Sequence, residues 1–171
     1  MAQPTPHLPK TIWLMWSQGL ERAPLVVKEC YASWRALNPG WQIIFLDDTN
    51  LADYVDVEAV IHPKSDVKIQ ARSDIIRVNL LARYGGVWAD ATCFCRQPLD
   101  SWLPEVTRSG FFAFSDPTRS RLIDAWFMAA SPECPLIKKG LGGKPTHLWV
   151  GCRTQAAQRA AVPELMLDAS A

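Results

Sequence analysis

The chain has no long apolar run, little histidine and almost no net charge, and each shortage removes a class of protein. Its 171 residues include 18 Lys or Arg against 17 Asp or Glu, for a net charge of +1. That balance supplies no basic field for nucleic acid or an anionic membrane surface. The apolar runs are strand-sized, short of the roughly 20 residues that cross a bilayer. The opening "MAQPTPHLPK" lacks the apolar centre of a secretory signal. A cytoplasmic protein is expected, with peripheral membrane contact left open. Cysteine is sparse and scattered, at Cys30, Cys93, Cys95, Cys134 and Cys152. An odd count at irregular spacing argues against a secreted disulfide framework. Cys93 and Cys95 share one face of an extended segment. A zinc site needs a second ligand pair, and neither C-x-x-C nor paired histidine supplies it. The cysteines read as reduced packing residues. A phosphate loop is missing too: around Gly142, Gly143 and Lys144 the leading glycine is absent, and Pro145 stands where Ser or Thr belongs. No internal repeat is visible.

What is present is ordinary globular composition, 49% apolar and 20% charged, in a length suited to one domain with a real core. Tryptophan is abundant at 8 residues. Its flat rings stack on sugars and bases, and most serve as plain core.

Thr11–Trp16, "TIWLMW", reads as a buried strand. Pro24 then sits where a first helical turn tolerates proline, and "LVVKECYASWRAL" continues as a helix stopped by "NPG". Trp41–Asp47 reads as a second strand, so the chain opens strand, helix, strand, the start of an α/β parallel sheet. A short helix is expected around Asn50–Tyr54. The strongest helical signal runs from about Asp66 to Tyr84, with Gly85 at its left-handed cap and Arg83 in its last turn. "VWADAT" follows as a strand, then a turn and a short helix or loop in "RQPLDSWLP". Phe111–Asp116 and Asp124–Ala130 read as two strands, or as a strand and a helix. After Lys139 the chain turns glycine- and alanine-rich with little apolar periodicity.

The chemistry collects around "SDIIRVNLLARYGGVWADAT". On a 3.6-residue period Ile69, Ser73, Ile76, Leu80 and Tyr84 form one stripe, and Gln70, Asp74, Arg77 and Leu81 the next. Ala71, Ile75, Val78 and Ala82 make the far side apolar as well. The polar stripe is therefore expected to face a cleft. A surface ion pair between Asp74 and Arg77 is the plain alternative. On the following strand Trp88, Asp90 and Thr92 share one face. Ligands of open parallel sheets sit beyond the carboxyl ends of the strands, and an unpaired carboxylate there calls for a cation. A hard divalent metal taking Asp90, Thr92 or water, and substrate phosphate oxygens fits. Capping of a neighbouring turn by Asp90 fits the spacing equally well.

Ordered blocks across Leu8 to Lys138 resemble the capsular polysaccharide synthesis protein family. They are "LPKTIWLMWSQG", "APLVVKECYASWRALNPGWQIIFLDD", "SDIIRVNLLARYGGVWADAT" with "QPLDSWL", and "GFFAFSDP" with "WFMAASPECPLIKK". That family groups with glycosyltransferases whose sugar-binding region carries a DXD motif. The resemblance implies a GT-A type nucleotide-sugar fold, a Rossmann-like α/β sheet flanked by helices, with manganese or magnesium as cofactor. It implies that Trp16, Gln18 and Gly19 line the nucleotide. Gln70, Asp74, Arg77 and Trp88 fall on the donor side, where strand packing explains Trp88 equally well. Asp90, with Thr92 in place of the second motif aspartate, would hold the metal. The implied activity is transfer of a sugar from a nucleotide-sugar to a saccharide or glycolipid acceptor in surface polysaccharide synthesis, with retention at the anomeric carbon. Asp74, Arg77 and Asp90 are the implied catalytic set. Residues 8–138 form the expected domain, and 139–171 a tail unlike the helical acceptor-side section of family members. The alternative is a shortened donor-binding domain without transfer activity.

Overall fold

The computed structural model describes residues 7–60, 69–114, 123–132 and 134–141. The chain opens with β1 (Thr11–Met15), α1 (Leu25–Leu37) and β2 (Gln42–Leu46). The two strands pair in parallel, from Thr11 beside Gln42 to Met15 beside Leu46, as the strand–helix–strand pattern requires. Pro24 stands at the N-cap of α1, just before the first turn. At the other end the Asn38 side-chain amide donates to the Trp34 carbonyl, and its Oδ1 accepts from the Leu99 amide at 2.8 Å. One side chain thus closes the helix and ties it to the far half of the chain.

The expected helix at Asn50–Tyr54 is a single 3-10 turn, Leu51–Asp53. A short α2 (Val57–Val60), which was not expected, follows it, and the Asp56 carboxylate accepts the Ala59 amide in its first turn. Helix α3 spans Ile69–Tyr84. Residues 66–68, expected to open it, lie outside the described residues. Gly85 has the expected left-handed backbone, φ 66°, and its amide donates to Leu81. Gly86 is needed for a different reason: an added Cβ would lie 2.5 Å from the Thr11 carbonyl oxygen. Only glycine lets α3 deliver the chain to β3 (Gly86–Ala89) so close against β1.

A 3-10 turn (Leu99–Ser101), α4 (Leu103–Val106), β4 (Phe111–Ala113), β5 (Phe127–Ala130) and α5 (Pro135–Leu141) complete the described elements. Both Phe111–Asp116 and Asp124–Ala130 therefore hold strands, shorter than their sequence patterns, and residues 115–116 lie outside the described residues. So do Gly142, Gly143, Lys144, Cys152 and the rest of the tail from 142 onward.

The five strands form one sheet in the order β2-β1-β3-β5-β4. β1, β2 and β3 are parallel, while β5 runs antiparallel to both neighbours. The alternation of side chains divides the core in two. On one face Trp13, Leu46, Trp88 and Met128 pack under Ile76, Leu80 and Leu81 of α3 and Ile137 of α5. On the other Ile12, Leu14, Val87, Ala89 and Phe127 pack under Trp34 of α1 and Leu99 and Leu103. Each fully buried Leu or Phe contributes roughly 1.5–3 kcal/mol. Helices on both faces explain why β3 and β5 are buried at every position. Among the described residues no helix is long and apolar enough to cross a membrane.

Candidate functional site

Because β1, β2 and β3 run in parallel, the segments that follow them emerge at one edge of the sheet. Trp16, Asp47 and Asp90 each lie at or just past such an end. The start of β5 reaches the same edge from the opposite direction, and the Asp90 amide donates to the Trp126 carbonyl at 2.8 Å.

Arg77 organises this edge. Its neighbours Ile76 and Val78 are core residues, and its own side chain is only 7% exposed. Burial of a guanidinium demands partners. Nη2 meets Asp74 Oδ1 at 3.1 Å and the Ser73 hydroxyl at 3.2 Å. Nη1 donates to the Ala125 carbonyl and faces Asp90 Oδ1 at 3.5 Å. Nε donates to the Ser73 carbonyl at 3.4 Å. The guanidinium also lies over the Trp88 ring, with Cζ 5.2 Å from its centroid. All three nitrogens are engaged, so Arg77 is spent on holding the site together.

The carboxylates are the outward groups. Side chains of Asp74 and Asp90 are 48% and 38% exposed. The Trp88 indole N–H donates to Asp90 Oδ1 at 2.9 Å. Among the described residues, no hydrogen bond engages Asp90 Oδ2. Two carboxylates against one guanidinium leave one net negative charge. Burial pushes the Asp74 carboxyl above the ordinary range, Arg77 opposes the shift, and nearby Asp90 adds to it. The Cys93 thiol beside them is pushed up to about 12, first by burial and then by Asp90.

The other expected residues are distributed unevenly. Asp74, Arg77 and Asp90 converge on one place. Trp16 is half-buried and packs against the cluster of Ala23, Val27 and Ala91, the last being the residue after Asp90. Gly19, φ 80°, turns the loop after β1, and a Cβ there would sit 3.2 Å from Asp47 Oδ2. Gln18 is exposed on the same loop. Gln70 lies in α3, and its side chain is outside the described residues.

Two expectations need correction. "VWADAT" is not a strand throughout: β3 ends at Ala89, and the Cys93 amide donates back to the Asp90 carbonyl at 2.9 Å, closing a turn. Asp90 still meets Trp88, but Thr92 falls in the turn and is exposed instead of continuing the strand face. Trp88 is 1% exposed and has no surface to flank a sugar, so strand packing accounts for it. Ser73 and the carbonyls of Ala125 and Trp126 were missed as site groups. Backbone acceptors have no residue signature, and Ser73 had been assigned only to a helix stripe.

Among the described residues no cluster of three or more His, Cys, Asp or Glu side chains that could hold a metal occurs. The half-exposed carboxylate of Asp90 is the kind of oxygen ligand a hard cation takes, and Thr92 is exposed two residues further on.

Fold and site define a mostly parallel α/β domain with two part-exposed carboxylates around a buried arginine at the carboxyl ends of its strands. The chain belongs to the capsular polysaccharide synthesis protein family, whose pattern matches residues 2–140. It is 28% identical over 152 residues to the O-glycosyltransferase braB of Annulohypoxylon truncatum, covering 77% of this chain and 36% of that protein. It is 25% identical over 143 residues to the glycosyltransferase afumC of Aspergillus fumigatus, covering 77% of this chain and 35% of that protein. The chain thus spans about a third of the length of these curated relatives. Among solved structures the fold matches the PaToxG glycosyltransferase with a TM-score of 0.59 at 15% identity, over 81% of this chain and 61% of that one. At that identity the likeness shows the fold.

Proposed function

We propose that this chain carries the donor site of a metal-dependent glycosyltransferase. It would move a sugar from a nucleotide-sugar to a saccharide or glycolipid acceptor in surface polysaccharide synthesis, with retention of configuration. The observation that carries the reading is the pair of outward carboxylates, Asp74 and Asp90, held by one buried arginine at the carboxyl edge of the sheet. A net negative edge repels a diphosphate unless a cation lies between them. Family membership and relatives named as glycosyltransferases support the same substrate class.

Each residue then has a task. Asp90, whose side chain is partly exposed, and Thr92 would hold the manganese or magnesium ion. When bound, that ion supplies Lewis-acid stabilisation of the departing nucleoside diphosphate. Asp74 accepts hydrogen bonds from donor sugar hydroxyls, strengthened by its charge. Arg77 fixes both carboxylates and limits their mutual repulsion. Trp16 offers part of one ring to the base. Gly19 allows the loop carrying Gln18 to approach the phosphates closely. The reading carries a cytoplasmic location, supported by free thiols at Cys30, Cys93, Cys95 and Cys134.

The test is thermal stabilisation by manganese with uridine, guanosine or adenosine diphosphate in turn, followed by release of nucleoside diphosphate from the matching nucleotide-sugar. Stabilisation that needs metal and nucleotide together is expected, because a ligand bound only by the native state raises its stability. No response to any of the three removes the proposal. Metal-dependent binding without release or transfer leaves a donor-binding domain only.

A further inference from the structure

We propose that Trp88 is a positioning residue for Asp90, acting through its indole N–H and never touching substrate. The inference rests on the function proposed above. β3 places Trp88 in the core face of the sheet, beside Trp13 on one side and Met128 on the other. A tryptophan buried so fully must find an acceptor for its N–H. Asp90 is two residues further on, just beyond the strand end, and its Oδ1 is that acceptor at 2.9 Å. The same oxygen faces Arg77 Nη1 at 3.5 Å, and Arg77 in turn lies over the Trp88 ring. Ring, guanidinium and carboxylate therefore brace one another in a closed triangle.

The consequence is directional. An unbraced aspartate rotates freely and holds its carboxylate plane in no set orientation. Here two partners gather on one oxygen, and turning the carboxylate plane away would break the indole bond and the ion contact together. The second oxygen then has a set direction relative to Trp88 and Arg77 before any ligand arrives. A phenylalanine at position 88 would supply ring area without the donor. The core could then survive while the orientation of Asp90 is lost. Groups that orient a metal ligand without touching the metal typically change affinity tenfold to a hundredfold.

The test uses the full chain with Trp88→Phe and a second variant carrying 3-benzothienylalanine at position 88. The analogue keeps the bicyclic shape and lacks the N–H, so it separates the hydrogen bond from core packing. Manganese binding is read from the electron paramagnetic resonance signal of the free ion, with each of the three nucleoside diphosphates present. Both variants should lose roughly tenfold or more in manganese affinity. Ile137→Val, a core change on α5, should lower the melting temperature and leave that affinity alone. Wild-type affinity in the benzothienyl variant overturns the positioning role and leaves the proposed function standing. Absence of metal-dependent nucleotide binding in the wild-type chain removes the function and this inference with it.

Discussion

The two ends of the sheet carry the same three chemistries in different states of completion. At the amino edge the Trp41 indole N–H donates to Asp100 Oδ1 at 3.1 Å, Lys10 meets Asp100 Oδ2 at 2.8 Å, and Lys10 lies 5.9 Å from the Trp41 ring centroid. At the carboxyl edge Trp88, Asp90 and Arg77 repeat the arrangement. The first trio is closed: one cation meets one anion, both carboxylate oxygens are used, and the Lys10 and Asp100 side chains are 56% and 52% exposed. It clips the lead into β1 onto the turn before α4. The second trio has a buried cation, a second carboxylate and an oxygen to spare. A groove of about 570 Å³ opens at the amino edge beside Lys10, Trp41 and Leu103. The groove has a lining but no uncommitted polar group in this trio. The carboxyl edge has the uncommitted charge, and a binding site needs polar groups placed to fix its ligand.

The largest expected difference between the trios is in stability. Arg77→Met leaves two neighbouring carboxylates without their cation. It should cost about 3 kcal/mol, at the low end for breaking a buried pair because both carboxylates are partly exposed. Lys10→Met should cost under about 1 kcal/mol, as exposed pairs do. Urea unfolding of the two variants measures the contrast, and equal losses would erase it.

Next in size is the ligand response. Asp90→Asn should abolish the manganese-dependent stabilisation by nucleotide, a loss of about 2.7 kcal/mol where the ligand stands at a hundred times its dissociation constant. Asp100→Asn should keep that response in full. A retained response in Asp90→Asn would exclude Asp90 as a ligand and leave both ends of the sheet merely structural. Trp88→Phe should fall between the two, with weakened but measurable metal binding.

Most of this architecture was legible in the residues. The β-branched and aromatic run at Thr11–Met15, the proline and "NPG" around α1, and the glycine pair after α3 carry local signals strong enough to set those elements. The convergence of Asp74 with Arg77 followed from helical period alone, and their meeting with Asp90 from the sharp glycine turn. What was not legible depends on partners distant in the chain. Nothing in "VWADAT" shows that the ladder stops at Ala89, because Asp90 leaves it to form a turn and to receive the Trp88 N–H. The saturation of Arg77 is equally hidden, since two of its bonds go to the backbone of Ser73 and Ala125. The two-carbonyl contribution of β5 depends on its antiparallel return, which the sequence left open between a strand and a helix.

The finest contrast is the response of each end to pH. At the amino edge the hydrogen bond from Lys10 holds the Asp100 carboxyl below its usual range, with Trp41 assisting. At the carboxyl edge burial holds Asp74 above it, although Arg77 pulls the other way. An unfolded aspartate titrates near about 3.9. Asp100 therefore adds stability above that value, and this contribution fades as pH falls through its lower folded value. Asp74 does the reverse: as pH rises from about 3.9 through its higher folded value, the native state gives up a proton it had favoured, and stability falls. Melting temperatures between about pH 2.5 and 6 read both effects. Relative to Asp100→Asn, the wild type should gain as pH rises; relative to Asp74→Asn, it should lose. Both shifts are modest, because each carboxylate is partly screened by water. Slopes of the same sign would mean that the ion pair with Arg77 outweighs burial at Asp74, and the two ends would then differ in exposure alone.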